Sequence, residues 1–422
     1  MKIKTKSLSY DKVLRLKKPK HRRPLRPFFL LPLVIRIISI FDLWSAKFKF
    51  TGHVPKDLGP CLILMNHSSF IDLKIAYRIL WPKPFGIVCT SDGFIGKNLL
   101  MRLLGCIPTK KFVSDITLIS DMKHLLHSKK VSVLMYPEAS YSFDGTETKL
   151  PRKMGILLKK LGVNVLMIKT EGAFTRDPLY NGLRLRKNVP VSANVSLLFS
   201  AENLKTLSVP EIDKTLDDAF SLDNFLWQKE NGITVDEPFR ADGLHRILYR
   251  CPNCETEGKT KGIGTSLICE NCNKEYTLLE NGSMKALSGE TEFSHIPDWY
   301  AYQREKVKEE IETGSYNLDT EVEIGVMVDF KAIYKIGSGR LTHTKDGFTL
   351  KSDDGKLCYT QSSNRSYSLY ADYFWYEIGD VICVGDNDML YYCFPKGDTP
   401  VAKVRLATEE IYKICKKRKA KI

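Results

Sequence analysis

The sequence has no apolar run long enough to cross a bilayer as a helix. Its longest, residues 28–41, is interrupted by Pro32, Arg36 and Ser39 and falls short of the ~20 residues that a spanning helix needs. No small-residue cleavage site follows it, so no secretory signal is expected. This stretch predicts either a helix lying in the membrane interface or an ordinary core helix.

The cysteines do not form the pattern of a disulfide framework. There are eleven, an odd number, and only four stand in paired spacing. This usage is typical of a reducing compartment. We therefore expect a cytoplasmic protein, and the basic residues described next place it peripherally on the cytoplasmic face of a membrane.

Acidic residues are scarce at both ends of the sequence. Residues 1–26 carry eleven Lys and Arg against the single Asp11, and residues 412–422 add six with no acid, so the remainder is close to neutral. Two basic tails on a near-neutral body favour an anionic phospholipid surface as partner, and no nucleic acid, which would need basic residues across a folded face. Solvated, disordered tails are the alternative.

Short apolar runs alternate with amphipathic stretches in the first half of the sequence. Runs that read as buried strands occupy 61–65, 86–90, 106–109, 131–136, 163–168 and 191–199. This alternation predicts an α/β fold with a mixed sheet flanked by helices.

Changes of composition divide the sequence into five predicted segments. They are a basic arm with an amphipathic membrane-associating helix (1–44), the α/β domain (45–242), a zinc ribbon (243–285), a helical linker (286–315) and a β-rich module with a C-terminal helix (316–422). From Pro297 to Ile311 the linker alternates Lys or Arg with Glu, which is typical of the solvent-exposed face of a helix. By shape alone, strands closed by a helix resemble a pleckstrin-homology module, a lipid- or peptide-binding fold.

Four cysteines have the spacing of a metal site. Cys251 and Cys254 form one Cys-x-x-Cys pair. After fourteen intervening residues, Cys269 and Cys272 form a second. Two such turns can offer four thiolates to one tetrahedral ion, and four protein ligands leave no open position. The spacing therefore predicts a structural zinc ion.

One stretch combines a histidine and an aspartate in a way that suits acid–base chemistry. Residues 62–65 are apolar, His67 follows them, and Asp72 comes five residues later. The aspartate can accept a hydrogen bond from one imidazole nitrogen and so leave the other free to take a proton from a hydroxyl. His67 is the candidate general base and Asp72 its orienting partner; a buried structural histidine is the alternative.

Three later segments complete a recognisable series. Residues 105–111 end in Lys110 and Lys111, residues 136–142 read Tyr-Pro-Glu-Ala-Ser-Tyr-Ser, and an apolar run ends at Gly172. With the histidine segment before them, residues 45–205 resemble the glycerophospholipid acyltransferases, which acylate glycerol 3-phosphate and lysophosphatidic acid.

The resemblance implies an activity and a set of substrate contacts. A fatty acyl group would pass from acyl-CoA or acyl carrier protein to a hydroxyl of lysophosphatidic acid or a related lysophospholipid. Lys110 stands where the family usually has a phosphate-binding arginine, and Gly172 would shape the acyl-donor side. The other substrate-binding residues implied are Glu138, Ser140, Tyr141 and Lys153.

The third segment departs from the family pattern. Ala139 replaces a glycine and Tyr141 an arginine. Because arginine grips phosphate bidentately and tyrosine offers one hydroxyl, the acceptor need not carry a bare phosphate. Two rival hypotheses stay open: a catalytically inactive acyltransferase-like membrane adaptor, which the intact His67 and Asp72 disfavour, and a nucleic-acid binder, which the near-neutral body disfavours.

Overall fold

The computed structural model describes residues 2–113, 115–151 and 154–419. These residues contain three β-sheets, of seven, four and eight strands. None of the helices in this part of the chain combines the length and the apolar character that crossing a bilayer requires.

The N-terminal residues are divided between two parts of the protein. The elements are β1 (Thr5–Ser7), α1 (Tyr10–Leu14) and α2 (Leu30–Ser45). Strand β1 pairs in parallel with residues 333–335 of the C-terminal sheet, and Tyr10 and Val13 are buried in the adjoining core. The predicted arm therefore divides, because residues 2–16 bury apolar side chains against the C-terminal module while α2 packs on the α/β part.

The α/β part is built on a seven-stranded mixed sheet. Its strands are β2 (Lys49–Gly52), β3 (Leu62–Met65), β4 (Phe85–Thr90), β5 (Cys106–Thr109), β6 (Ser132–Met135), β7 (Val165–Glu171) and β8 (Ser192–Phe199). The order is β2-β8-β7-β3-β6-β4-β5, and only the β7–β8 pair is antiparallel. The predicted mixed sheet is thus confirmed.

Helices cover both faces of this sheet. They are α3 (Ile71–Leu80), α4 (Asn98–Leu103), α5 (Ile116–Lys123), α6 (Met154–Leu161), α7 (Ala173–Arg176), α8 (Asn203–Thr206), α9 (Val209–Phe220) and α10 (Asn224–Glu230). Successive residues of a strand point to opposite faces, so Ile63 and Met65 enter one core while Leu62 and Leu64 enter the other. Strand β3, which precedes His67, is therefore held rigidly from both sides.

A small antiparallel sheet and a long helix follow. The strands are β9 (Thr260–Ile263), β10 (Ser266–Cys269), β11 (Glu275–Leu278) and β12 (Met284–Ala286), and the helix is α11 (Ile296–Thr313). Trp299, Gln303 and Val307 of α11 are fully buried. Glu305 and Glu309 are exposed, in line with the solvent-exposed face predicted for this helix, while the other side is buried because apolar positions recur there at helical spacing.

The C-terminal module is an antiparallel sheet with a closing helix. Its elements are β13 (Leu318–Met327), β14 (Ile333–Thr344), β15 (Gly347–Ser352), β16 (Cys358–Ser362), β17 (Tyr370–Trp375), β18 (Gly379–Gly385), β19 (Leu390–Pro395) and α12 (Val401–Lys419). The strand order is β16-β15-β14-β13-β19-β18-β17, with β1 added in parallel to β14.

This module packs against the loops that follow the parallel strands. Tyr370 Oη donates to Asp92 Oδ2 at 2.6 Å, just after β4, and Lys111 Nζ lies 4.2 Å from the centre of the Tyr370 ring, just after β5. The rings of Phe143 and Tyr373 are 4.6 Å apart, after β6. Because the carboxyl ends of parallel strands share one edge of a sheet, the module covers the edge at which His67 follows β3.

Candidate active site

His67 and Asp72 lie in direct contact. His67 Nδ1 is 3.1 Å from Asp72 Oδ2, and the same carboxylate oxygen accepts the backbone N–H groups of Ser68 and Ser69 at 2.7 and 3.0 Å. Asp72 is fully buried in the first turn of α3. With Nδ1 donating to the carboxylate, Nε2 is left as the proton acceptor, and none of the described residues hydrogen-bonds to it.

Two tyrosines enclose the imidazole. The ring of His67 stacks on Tyr136 at 4.0 Å between centroids, and that of Tyr141 lies 4.3 Å away. Burial lowers the pKa of His67, although the hydrogen bond to Asp72 opposes the shift. The imidazole is therefore neutral near pH 7, as a general base must be.

Hydrogen bonds at Asn66 and at the backbone of His67 fix the loop that carries the histidine. Asn66 exchanges two hydrogen bonds with the backbone of Thr170, at 2.8 and 2.9 Å. Glu138 Oε2 accepts the backbone N–H of His67 at 2.7 Å, and its Oε1 accepts that of Thr148, also at 2.7 Å. Hydrogen bonds to the backbone of β7 and to the side chain of Glu138, which follows β6, thus set the position of one imidazole.

Glu138 has little freedom to contact a substrate in this arrangement. It is 2% exposed, both oxygens accept backbone N–H groups, and burial raises the pKa of its carboxyl to about 8 despite those bonds. Its visible role is to tie the His67 loop to the 143–150 loop. Acceptor binding by Glu138 stays a prediction.

Ala139, the residue that replaces a glycine, has a left-handed backbone with φ of +57°. A side chain makes this conformation cost about 1–2 kcal/mol, partly offset by the extra freedom that glycine brings to the unfolded chain. We expect Ala139→Gly to raise the free energy of unfolding by about 0.5–1 kcal/mol. Chemical denaturation would measure this; a lower stability would contradict it.

The two lysines after β5 point to different neighbours. Lys110 Nζ donates to the backbone carbonyl of Asn387 in the C-terminal module. Lys111 instead lies near His67, where its charge adds to the lowering of the His67 pKa after the larger effect of burial. The structure thus brings Lys111, and not Lys110, to the histidine.

The remaining predicted substrate residues have distinct surroundings. Ser140 is buried, and its Oγ has no hydrogen-bond partner among the described residues. Gly172 has φ of +78°, and a Cβ there would lie 2.2 Å from the carbonyl oxygen of Pro190, so only glycine fits. Lys153 falls outside the described residues.

Two aspartates near the site, the buried Asp177 and the half-buried Asp372, escaped the sequence prediction. Burial raises the pKa of Asp177 to about 7, opposed by a hydrogen bond from Ser69. Burial likewise raises the pKa of Asp372, on β17, to about 6, opposed by the charge of Lys111. No local spacing could have revealed Asp372, because folding brings it in from the C-terminal module.

The four paired cysteines come together as their spacing predicts. Their Sγ atoms all lie within 4.8 Å of one another. The Cys251–Cys272 and Cys254–Cys269 Sγ pairs are each 3.7 Å apart. Four sulfurs placed ~2.3 Å from a central zinc ion would be separated by about 3.8 Å, so this cluster fits a metal ion held by four thiolates.

Comparison with known proteins agrees with the chemistry of these residues. Residues 47–167 match the family model described as Acyltransferase. Among solved structures, the chain is similar to the 1-acyl-sn-glycerophosphate (LPA) acyltransferase PlsC from Thermotoga maritima, with 17% identity, a TM-score of 0.34, and coverage of 46% of this chain and 78% of that one. The search of curated proteins finds no match. The matched residues 47–167, which include His67 and Asp72, therefore resemble the Acyltransferase family.

Proposed function

We propose that the protein transfers a fatty acyl group from acyl-CoA or acyl carrier protein to a hydroxyl of lysophosphatidic acid or a related lysophospholipid. The observation that carries the proposal is the His67–Asp72 pair, in which Nε2 accepts no hydrogen bond from the described residues and the imidazole is neutral. Nε2 takes the hydroxyl proton as the oxygen attacks the thioester carbonyl; the new ester bond forms, and the thiolate leaves and is protonated. Mass spectrometry of lipids after incubation with each donor and a panel of lysolipids tests the proposal.

Unpaired polar groups near the histidine support a polar acceptor. The hydroxyls of Tyr136 and Ser140 are buried without partners among the described residues. Buried polar groups left without partners are costly, so a bound substrate that hydrogen-bonds to them gains affinity.

The surroundings of Tyr141 favour a lysophospholipid whose phosphate carries less negative charge than that of lysophosphatidic acid. Burial raises the pKa of Tyr141 well above its usual value, and the charges of Asp72, Asp372 and Asp177 add to the shift. Three carboxyl groups nearby make this position unfavourable for a phosphate dianion.

We expect Tyr141→Arg to increase the use of lysophosphatidic acid relative to other lysolipids, because guanidinium offsets the carboxylates and binds phosphate bidentately. One such contact corresponds to about a tenfold change in the kcat/KM ratio between acceptors. Tyr141→Phe is the control, since it keeps the ring beside His67 and removes only the hydroxyl. An unchanged ratio in Tyr141→Arg would remove Tyr141 from acceptor selection.

We propose that the bound metal is zinc and that it is structural. The donor set is four thiolates, which zinc prefers, and four protein ligands fill a tetrahedral site. Cys251, Cys254, Cys269 and Cys272 would hold the ion, which stabilises the small sheet β9–β12 and takes no part in acyl transfer.

We propose peripheral membrane binding through α2 and the adjacent basic residues. One side of α2 packs into the core through Leu43, while Phe41 and Trp44 are 79% and 80% exposed. Exposed lysines and arginines precede this helix: Lys17, Lys20, Arg22 and Arg26. Apolar side chains that enter the acyl boundary and cations that meet anionic head groups act together, at about 1 kcal/mol for each cation.

We expect Phe41→Ser with Trp44→Ser to weaken binding to anionic liposomes at least tenfold, as measured by sedimentation, because two large apolar side chains no longer enter the bilayer. Substitution is preferable to deletion of residues 1–44, which would also remove β1 from the C-terminal sheet. Ile263→Ser with Leu287→Ser is the matched control, since both residues are exposed on the small sheet. Equal losses in the two variants would contradict attachment through α2.

A further inference from the structure

A cavity of about 500 Å³ lies away from the catalytic pair. The 143–150 loop, the C-terminal end of α9, the first half of α11 and α12 form its walls. Its volume is in the range of sites for small organic molecules. Neither His67 nor Asp72 lines it; the link to the active site is Thr148, whose N–H is bonded to Glu138.

One end of the cavity carries an excess of positive charge. Arg304 Nη1 donates to Glu409 Oε2 at 2.7 Å and to Glu410 Oε1 at 2.9 Å. Arg405 Nε donates to the other oxygen of Glu409 at 3.4 Å, and Lys413 pairs with Glu410. With Lys149, which lies beside Lys413, four cations share the carboxylates of Glu409 and Glu410. Asp144 also lines the cavity, and burial raises the pKa of its carboxyl.

Two of these cations lack full compensation. Arg405 is 5% exposed, and its Nη1 has no hydrogen-bond partner among the described residues. The pKa of Lys149 is lowered to about 8 by burial, and the nearby charges of Lys413 and Arg304 add to the shift. Such crowding of like charges is relieved when an anion binds between them.

The other end of the cavity is acidic. Glu147, Asp217 and Asp298 line it, and Glu147 Oε2 accepts the backbone N–H of Leu222. Asp298 lies in the first turn of α11, six residues before Arg304, which is about 9 Å along a helix. The rings of Phe220 and Tyr300 also line the cavity and provide apolar surface between the charges.

We propose that this cavity binds a small zwitterion that carries a phosphate at one end and an ammonium group at the other, the chemistry of ethanolamine phosphate. The phosphate would meet the Lys149–Arg405 end, where cations outnumber carboxylates and Nη1 of Arg405 has no hydrogen-bond partner among the described residues. The ammonium would meet Asp298. Binding at this site is independent of acyl transfer and is measured without it.

Isothermal titration calorimetry of the full chain at pH 7.5 tests the proposal with four probes: phosphoethanolamine, glycerophosphoethanolamine, inorganic phosphate and ethanolamine. We expect a zwitterionic probe to bind at least tenfold more tightly than phosphate or ethanolamine, because each half satisfies only one end of the cavity. Tighter binding of phosphoethanolamine identifies a free phosphomonoester as the natural source of the ligand, and tighter binding of glycerophosphoethanolamine a lipid head group.

Variants at each end locate the bound molecule. Lys149→Met and Asp298→Asn should each weaken the zwitterion about tenfold, and Asp298→Asn should leave phosphate unchanged. Lys129→Met and Asp353→Asn, both at exposed positions outside the cavity, are the controls. Phosphate that binds as tightly as the zwitterions, absence of binding by all probes, or binding unaffected by Lys149→Met would overturn the proposal.

Discussion

Purified His67→Ala protein is expected to retain its fold and to lose acyl transfer by a factor of about 10²–10⁴ or more, the contribution of a positioned general base. Asp72→Asn should lose a comparable factor. Its amide can donate to Nδ1 of the histidine, which places the ring proton on Nε2 and blocks the nitrogen that must accept the hydroxyl proton. Initial rates with a lysolipid and acyl-CoA measure both effects.

The exposed His53 provides the matched control, because His53→Ala removes an imidazole upstream of the site without touching it. In the wild type, burial holds the pKa of His67 below 6.5, so the base form persists as pH falls through that value. The acid limb of the kcat/KM profile should therefore lie below pH 6.5. Full turnover by His67→Ala would support a different base, and no transfer by the wild type would favour the adaptor hypothesis.

Removal of the metal is expected to destabilise the protein by several kcal/mol, since metal binding and folding are coupled in small thiolate sites. Side chains of the small sheet belong to a core that also contains Trp299 of α11 and residues of the C-terminal module. Loss of the ion should therefore lower the cooperativity of unfolding in that module as well. Thermal denaturation with and without a chelator measures the effect.

Elemental analysis should find one zinc ion per chain in the wild type. It should find none in the variant that combines Cys251→Ser with Cys272→Ser. Cys358→Ser is the control, because Cys358 is an exposed cysteine on β16, outside the cluster. Metal-free wild-type protein with unchanged stability would rule out a structural ion. Detection of iron instead of zinc would support the four-cysteine metal site but contradict zinc as its metal.

Sequence periodicity was sufficient for the α/β sheet because its strands are short, apolar and buried on both faces. The His67–Asp72 contact could also be predicted, since five residues across one turn leave few geometries. The same holds for the cysteines, whose paired spacing places two sulfurs on each tight turn. In each of these cases the pattern that predicts the structure lies within a short stretch of the sequence.

Contacts between distant segments were beyond sequence reasoning. Asp372 enters the neighbourhood of Tyr141 from β17, and Tyr370 binds Asp92 across the junction of two segments. The Glu-rich pattern of α11 indicates a solvent-exposed face, but it does not reveal that Trp299 and Gln303 are buried where the helix joins a core shared with the small sheet and the C-terminal module. Such arrangements depend on shape complementarity between folded units, which composition does not encode in any window.

The pairing of β1 with β14 sets the order of events during synthesis. Thr5 leaves the ribosome roughly 330 residues before its partner Ile333, an interval of about 15–70 s at ordinary elongation rates. During that interval strand β1 has no native partner. The residues of the α/β domain are all synthesised before the partner strand of β1 exists. A separately expressed C-terminal fragment would lack this strand, and a peptide of residues 2–16 supplied in trans would restore it.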